Sequence, residues 1–306
     1  MTDPLCRSGH EARPAPPAPS SSVRLVRRFR YVVTDVFTDT PLTGNQLAVF
    51  TDARDLTSED MQSLAREMNV SESVFVLPPS SPEADVRIRI FTPAVELPFA
   101  GHPVLGAAFV LGLPLQKIVI NLETVSGVIP VELERDGARI VFGWMQQPIP
   151  RWEPADNEQG ILAALGVPSS GLPVERYELG PGHVYVELVS ADDVAAVEPD
   201  LGALERATGD GVNCFARNGS GWKTRMFAPS HGVAEDPATG SAAGPLAIHL
   251  ARHGRIGFGD QIEITQGVEI NRPSKLYARV DGSAESIERV TVGGAAVLVA
   301  RGEFSF

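Results

Sequence analysis

The chain has 306 residues, 43% hydrophobic and 21% charged, a composition typical of a globular protein with one large domain or two smaller ones. Its net charge of −12 and its scattered Lys and Arg residues argue against a nucleic-acid partner. No apolar run approaches the ~20 residues that span a bilayer, and Cys6 and Cys214 form no C-x-x-C motif, so we expect a cytoplasmic protein without a membrane segment, disulfide framework or zinc ribbon.

The first 28 residues differ in composition from the rest of the chain. They include "RPAPPAPSSSVRLVRR", which is rich in Pro, Ala, Ser and Arg and lacks the apolar core that a signal peptide needs. We predict a disordered N-terminal extension over residues 1–28 and a folded chain from Phe29 onward.

The next part of the chain alternates strands with two helices. "RYVVTDVFTDTPLTGNQLAVF" predicts a strand, a turn and a second strand. Thr57 followed by Asp60 predicts a capped helix start, and the apolar residues from Met61 to Met68 recur at helical spacing. The strands "SVFVLPP" and "VRIRIFTP" follow, then a helix over about 103–111 and the strands "KIVINLE", "GVIPVELE" and "RIVFGWM".

A Pro-rich linker near 148–154 separates this part from a second half with the same pattern. A short helix near 161–165 precedes the strands "HVYVELV", "GVNCFAR" and "KTRMF", a helix over about 242–253 and three closing strands. Strands in series around one central helix predict an α+β fold rather than a parallel βαβ sheet. We predict two domains, 29–147 and 148–306, whose last strand can cross back to the first.

Two segments resemble each other, "RIFTPAVELPFAGHPVLGAA" in the first half and "RMFAPSHGVAEDPATGSAAG" in the second. Allowing a length difference of three residues, six positions match between them: Arg89, Phe91, Pro93, Glu96, Pro98 and Gly101 with Arg225, Phe227, Pro229, Glu235, Pro237 and Gly240. A repeated element of this kind predicts a pseudo-twofold scaffold with a ligand-binding cleft between the halves.

Each repeated segment leads into a helix rich in small residues. The first turn of a helix carries unpaired N–H groups and partial positive charge, worth about 0.3–1 kcal/mol toward an anion and ~2 kcal/mol when buried. Gly101 and Gly240 would allow a ligand to approach the backbone closely. The two helix starts together therefore predict a site for a small anion, although a single Gly-rich helix start is more often ordinary packing.

Three side chains near these segments are candidates for proton transfer. Glu72, in "NVSESVFV", has apolar or small neighbours, and burial there would raise its pKa and make it a better base. His102 opens the first helix and Asp236 precedes the second. The alternatives are an exposed loop residue for Glu72, a partner for a backbone group for His102, and a helix N-cap for Asp236.

Other familiar motifs are absent or incomplete. "TGSAAG" is not G-x-S-x-G, and neither a dinucleotide-binding nor a P-loop motif is present, so no nucleotide cofactor is expected. His249 and His253 are four residues apart on a helix but lack H-E-x-x-H, so we predict no metal site there and assign both to the helix C-terminus.

These residues together resemble the PhzF family of phenazine-biosynthesis isomerases over the chain from about Phe29 onward. The similarity is carried by "GNQLAVF", "EMNVSESVFV", "IRIFTPAVELPFAGHPVLGAA", "GPGHVYVEL", "RMFAPSHGVAEDPATGSAAGPLAIHLARHG" and "ITQGVEINRPSKLYARV". The pairing of "ELPFAGHP" with "EDPATGSA" is specific.

The resemblance implies a diaminopimelate-epimerase-like fold: two pseudo-symmetric domains, each a curled, mainly antiparallel sheet around a central helix. It implies Glu72 as the acid/base group, with His102 and Asp236 as catalytic partners. Substrate contacts would come from Ser71, Gly101, Gly240 and Ser241. It further implies a cofactor-free homodimer that transfers a proton from C3 to C1 of trans-2,3-dihydro-3-hydroxyanthranilate, a small anionic substrate.

The parent fold also includes racemases that use two thiols. We match the thiol positions to Ala100 and Asp236, neither of which is Cys, and the second half shows no counterpart of Glu72 around "NCFAR". A single base suits proton relocation better than inversion of a centre. Two alternatives remain: a related isomerase or epimerase for another small acid, and a catalytically silent ligand-binding homologue.

Overall fold

A computed structural model describes residues 26–306. The predicted extension therefore lies outside the described residues except for its last three, of which Arg28 begins the first strand. Between residues 26 and 306, no helix has both the length and the apolar character needed to cross a membrane.

The described chain contains eighteen strands, six α-helices and one 3₁₀ turn. The strands of the first part are β1 (Arg28–Val36), β2 (Asn45–Phe50), β3 (Glu72–Leu77), β4 (Val86–Phe91), β5 (Glu96–Leu97), β6 (Val119–Thr124), β7 (Gly127–Asp136), β8 (Arg139–Gln147) and β9 (Arg151–Pro154). Those of the second part are β10 (Glu175–Glu178), β11 (Gly182–Glu187), β12 (Gly211–Asn218), β13 (Gly221–Ala228), β14 (Val233–Asp236), β15 (Gln261–Gln266), β16 (Ser274–Gly282), β17 (Ile287–Gly294) and β18 (Ala296–Ser305). The helices are α1 (Ser58–Met68), α2 (Gly101–Leu115), α3 (Glu158–Leu165), α4 (Ala191–Ala195), α5 (Leu201–Ala207) and α6 (Gly240–Arg252), and the 3₁₀ turn is Pro229–His231.

The strands form one hydrogen-bonded ladder with two matching halves that meet where β8 pairs with β17. Outward from this junction the first half runs β8-β7-β6-β4-β3-β2-β1-β18, and the second runs β17-β16-β15-β13-β12-β11-β10-β9. The parallel pairs β4–β6 and β2–β3 take the same places as β13–β15 and β11–β12. The last strand crosses back to β1, and β9 crosses forward to β10. The ladder therefore has the pseudo-twofold organisation that the repeat predicts.

A helix buried on nearly every side lies inside each half. The helix α2 contacts seven strands of the first half, and α6 packs on β16 and β17 of the second. Residues of both helices belong to one apolar core with the inner faces of the strands. A helix without a polar face is stable only when it is enclosed, because each exposed turn would leave apolar surface in water.

Helix limits differ from the sequence expectations in an informative way. Both central helices start two residues before their predicted beginnings, at Gly101 and Gly240. The predicted capping box of α1 is present, with the Thr57 side chain accepting from the Asp60 N–H and the Asp60 side chain accepting from the Thr57 N–H. The helices α4 and α5 were not predicted, because five and seven residues are too few for a helical period to stand out.

The repeated segment has the same side-chain geometry in both halves. Arg89 donates two hydrogen bonds to Glu96, at 2.7 and 2.6 Å, and its guanidinium lies 5.0 Å from the centre of the Phe91 ring. Arg225 donates two to Glu235, at 2.9 and 2.7 Å, and lies 4.9 Å from the Phe227 ring. These bidentate pairs hold the loops that lead into α2 and α6 in equivalent positions.

Candidate active site

The starts of the two central helices meet at the middle of the molecule. A Cβ added to Gly101 would lie 2.4 Å from the carbonyl carbon of Gly240, and one added to Gly240 would lie 2.9 Å from the His102 nitrogen. Side chains at either position would collide with backbone, so only glycine permits this approach. The predicted convergence of the two helix starts is present in the structure.

These two helix starts also differ from the other four in how they are capped. Side chains of Thr57, Asn157, Ser190 and Asp200 accept backbone N–H groups at α1, α3, α4 and α5. The N-cap residues of α2 and α6, Ala100 and Thr239, make no such bond within the described chain. Pro103 has no N–H and the Ala242 N–H donates to the Thr239 carbonyl, so the N–H groups of the first two residues of each helix are left for a ligand.

The position of Thr239 changes one sequence expectation. It is the N-cap of α6, so the alternative role of Asp236 as the helix cap is wrong. It also stands opposite Ala100 in the repeat, since each of the two residues directly precedes the first glycine of a central helix. Neither residue is cysteine, and the disfavoured two-thiol mechanism stays disfavoured.

Glu72 and His102 face each other beside these helix starts. Glu72 is the first residue of β3, with a side chain 16% exposed, and its Oε2 lies 3.2 Å from Nε2 of the buried His102. The two atoms are close but not aligned for a hydrogen bond, and neither has another partner among residues 26–306. Both atoms therefore have an unused hydrogen-bonding position in the cleft. A group that exchanges protons with a ligand requires such a position.

Burial sets the charge state of this pair. It raises the pKa of Glu72 well above its usual value, and the nearby Asp236 carboxyl raises that pKa further. Burial also lowers the pKa of His102 to about 3, although a hydrogen bond with the Gln46 backbone acts in the opposite direction. His102 is therefore a neutral imidazole and does not form an ion pair with Glu72.

Asp236, at the end of β14, is surrounded by donors. Its Oδ1 accepts from Asn45 Nδ2 at 2.8 Å and its Oδ2 from Thr239 Oγ at 2.6 Å, while its backbone carbonyl accepts from Gln266 Nε2 at 2.8 Å. Burial raises the Asp236 pKa, whereas the bonds from Thr239 and Asn45 lower it. Because Glu72 lacks such donors, Asp236 is the carboxyl that ionises first and Glu72 the one that retains its proton longer.

The predicted substrate-contact residues line the same cavity as these side chains. The cavity has a volume of about 70 Å³ and is bounded by Ser71, Glu72, Gly101, His102, His183, Asp236, Gly240 and Ser241, with Val95, Leu97, Met226 and Val233 among its apolar walls. It is smaller than the usual ligand pocket of ~300–1,000 Å³. All seven predicted site residues are thus brought together in one place.

A larger groove of about 660 Å³ lies elsewhere, between the β1–β2 turn and β8, β16 and β18. Its charged lining residues are Asp39, Arg139 and Lys275. It has no pair of buried carboxyls and no free helix start. On chemical grounds the smaller cavity is the better candidate for the active site.

His249 and His253 join Glu175 in a separate cluster of potential metal ligands, whose ligand atoms lie within 4.8 Å of one another. Glu175 Oε2 also accepts from Arg252 Nη1 at 2.7 Å and from Tyr177 Oη at 2.9 Å. The Arg252 guanidinium already neutralises the carboxylate that a cation would need. We therefore interpret the cluster as an ion-pair network.

Four further residues of the site were not singled out from the sequence: Asn45, His183, Thr239 and Gln266. Asn45 joins the halves, because its amide reaches Asp236 and the Ala238 carbonyl at 2.8 and 2.9 Å and lies 3.3 Å from His102 Nδ1. Each of the four lies in a segment that carries the family resemblance, but their contacts connect positions far apart in the chain. Only the fold reveals them.

Comparison with known proteins places the chain among similar ones. Residues 34–302 match the family described as phenazine biosynthesis-like protein, PhzC-PhzF. A trans-2,3-dihydro-3-hydroxyanthranilate isomerase from Pseudomonas aeruginosa is 54% identical over 273 residues, covering 89% of this chain and 98% of that protein. The crystal structure of a PhzF-family phenazine biosynthesis protein from Bacillus anthracis, 24% identical, superposes with a TM-score of 0.79 over 91% of this chain and 99% of its own. A hydroxyproline epimerase from Agrobacterium vitis, 11% identical, reaches 0.62 over 91% and 93%. The α+β, epimerase-like fold expected from the resemblance is thereby confirmed.

Proposed function

The chain belongs to the phenazine biosynthesis-like PhzC-PhzF family, and on that premise we propose that it isomerises trans-2,3-dihydro-3-hydroxyanthranilate. The name of the 54% identical relative supports this substrate. The observation that carries the proposal is Glu72: a carboxyl held in a closed cleft with a free oxygen, beside two uncapped helix starts.

Glu72 is the proposed acid/base group. It takes the hydrogen from C3 of the ring as a proton, the two double bonds shift along the ring, and a proton is delivered to C1. The immediate product is a dienol, which becomes the ketone when its hydroxyl proton moves to carbon. The substrate loses one proton at C3 and gains one at C1, so no oxidant, reductant or cofactor is required. A carboxyl with a raised pKa suits this role, because its basicity approaches what a carbon acid demands.

The rest of the cleft would hold the substrate in register. The carboxylate of the substrate fits the N–H groups of α2 and α6, which also stabilise negative charge as it spreads through the ring. Asp236 and the neutral His102 would hold the amino and hydroxyl groups. Asp236 is fixed for this by Asn45 and Thr239.

A single acid/base group favours the transfer of a proton from C3 to C1 over epimerisation of one carbon. C1 and C3 are separated by a single ring carbon, so one carboxyl can serve both from the same face. Inversion of a centre needs acid/base groups on both faces. The second half offers no carboxyl or thiol at the position equivalent to Glu72, which in the strand register is Gly211.

Turnover in heavy water tests the reaction. The purified chain should convert trans-2,3-dihydro-3-hydroxyanthranilate and place deuterium at C1 of the product. A chain that only binds ligands would leave the substrate unchanged and free of deuterium, which would refute the proposal. The homodimer and the cytoplasmic location implied by the resemblance stay predictions, and light scattering of the same sample measures the first.

A further inference from the structure

The two halves of the ladder show what stands in place of a second base. In the first half Phe91 pairs with Ser73, so Glu72 lies one residue before that pair, at the start of β3. In the second half Phe227 pairs with Val212, which puts Gly211 at the position of Glu72. Gly211 has no side chain, and a Cβ built on it would come within 3.2 Å of Met226 Sδ and 3.4 Å of His183 Nδ1. The ring of His183, from the neighbouring strand β11, therefore lies over this vacant position.

His183 points at the start of the second central helix. It is 1% exposed, lines the active-site cavity, and its Nε2 lies 3.0 Å from Oγ of Ser241, the second residue of α6. We propose that His183 is a positioning residue that holds the Ser241 hydroxyl so that its hydrogen is directed at the carboxylate of the substrate. This role rests on the proposed function, which supplies the anion.

The hydrogen-bond arrangement determines the direction of this contact. His183 Nδ1 is buried and has no partner in residues 26–306. A buried N–H without an acceptor costs more than an acceptor left free, so the favoured tautomer carries its hydrogen on Nε2. Nε2–H then donates to Ser241 Oγ, and the Ser241 hydroxyl hydrogen must be donated elsewhere. The cavity, with its anion, is the available direction.

The ring must be neutral for this arrangement to hold. Burial lowers the pKa of His183 to about 3, and the neighbouring His231 lowers that pKa further; Asp210 raises it, and Arg176 lowers it. A charged ring would carry a second N–H, on Nδ1, facing Met226 and the backbone of Gly211. Ser241 is thus a fixed hydrogen donor at the same helix start that offers its N–H groups.

A matched pair of substitutions tests the contact. His183→Gln puts an amide N–H near the position of Nε2, whereas His183→Asn is equally polar but too short to reach Ser241. A lost hydrogen bond to a charged group should raise KM, and the Kd for 3-hydroxyanthranilate, by about 10- to 100-fold in His183→Asn. His183→Gln should stay close to the wild type, and kcat should change less than KM in both.

Ser241→Ala separates positioning from a general structural effect. If His183 acts through the hydroxyl, His183→Asn should change the Kd by no more than about twofold once Ser241 is alanine. Equal losses in both backgrounds, or a His183→Gln variant as weak as His183→Asn, would overturn the proposal. Should His183→Asn fail to fold, His183→Leu takes its place in the cycle, since leucine fills a similar volume and has no atom that hydrogen-bonds to Ser241.

Binding of 3-hydroxyanthranilate is measured without turnover, so the test of His183 is independent of the test of the reaction. 3-Hydroxyanthranilate is an aromatic carboxylate without a removable hydrogen at C3, so it binds without turnover. A wild-type chain that binds the probe but leaves the dihydro substrate untouched would refute the proposed function and still allow the cycle to be measured. A chain that does neither would refute both.

Discussion

Glu72 and Glu175 are both shielded glutamates next to a buried histidine, yet their surroundings act on them in opposite ways. Burial raises the pKa of Glu72, and no donor within residues 26–306 offsets that rise. Burial also acts to raise the pKa of Glu175, but hydrogen bonds from His249, Arg252, His253 and Tyr177 outweigh it and hold that pKa well below the usual range. Shielding alone therefore does not make a base. A shielded carboxyl acts as a base where no hydrogen-bond donor stabilises its charge.

The largest expected effect comes from exchanging each carboxyl for an amide. Glu72→Gln keeps the volume and removes the base, so turnover should fall by about 10²- to 10⁴-fold while the Kd for 3-hydroxyanthranilate changes little. Glu175→Gln is the matched control, and the folded fraction of that variant should keep near-normal turnover. Stopped-flow absorbance of the dihydro substrate measures both. Comparable rates for Glu72→Gln and the wild type would contradict the assignment.

The same control should instead lose stability. The Glu175 carboxylate neutralises Arg252, and leaving that guanidinium without its partner costs about 3–5 kcal/mol in a buried setting, less here because Arg252 is 17% exposed. Since the folded pKa of Glu175 is depressed, its contribution is present at neutral pH and disappears as the pH falls. Urea denaturation at pH 7 measures the difference, and an unchanged midpoint for Glu175→Gln would argue against the network.

Glu72→Gln should have the opposite effect and stabilise the folded protein. The folded protein binds the Glu72 proton more tightly than the unfolded chain, so stability falls as pH rises above the unfolded pKa of about 4.3. Glutamine imitates the protonated form and avoids this loss. The Tm of Glu72→Gln should exceed that of the wild type by roughly 2 °C or more at pH 8, with no difference near pH 4. A variant less stable than the wild type at pH 8 would contradict a buried, unpaired Glu72.

A smaller effect is expected from Asp236→Asn. Removing this charge takes away one of the two causes that raise the Glu72 pKa, so the acidic limb of kcat/KM against pH should move to lower pH. The rate itself should also fall, because Asp236 positions the substrate. Thr239→Ser keeps the hydroxyl that donates to Asp236, so the acidic limb of its pH profile should stay at the wild-type position. A limb that moves upward in Asp236→Asn would show that the two carboxyls are not coupled as described.

Much of the fold could be predicted from the sequence because the same segment occurs in both halves of the chain. The match of Arg89 and Glu96 with Arg225 and Glu235 is visible without coordinates, and the structure shows the same bidentate pair in each half. The short helices α4 and α5 could not be found, since too few residues carry their period.

The candidate site divides in the same way. Glu72, His102 and Asp236 could be selected because each is a titratable group beside a glycine-rich helix start or in an apolar segment. Asn45 and His183 could not, because Asn45 meets Asp236 across 191 positions and His183 meets Ser241 across 58. Nothing local to either residue distinguishes it from an ordinary strand residue, and only the pairing of distant strands creates its contact.

The titration of Glu72 itself tests the central claim most directly. Carbon-13 spectra of the protein labelled at glutamate carboxyls, compared with those of Glu72→Gln and Glu175→Gln, assign both resonances in one sample. We expect the Glu72 resonance to titrate well above 4.5 and the Glu175 resonance well below it. A Glu72 midpoint at or below the value of a free glutamate would contradict a base that owes its strength to the absence of donors.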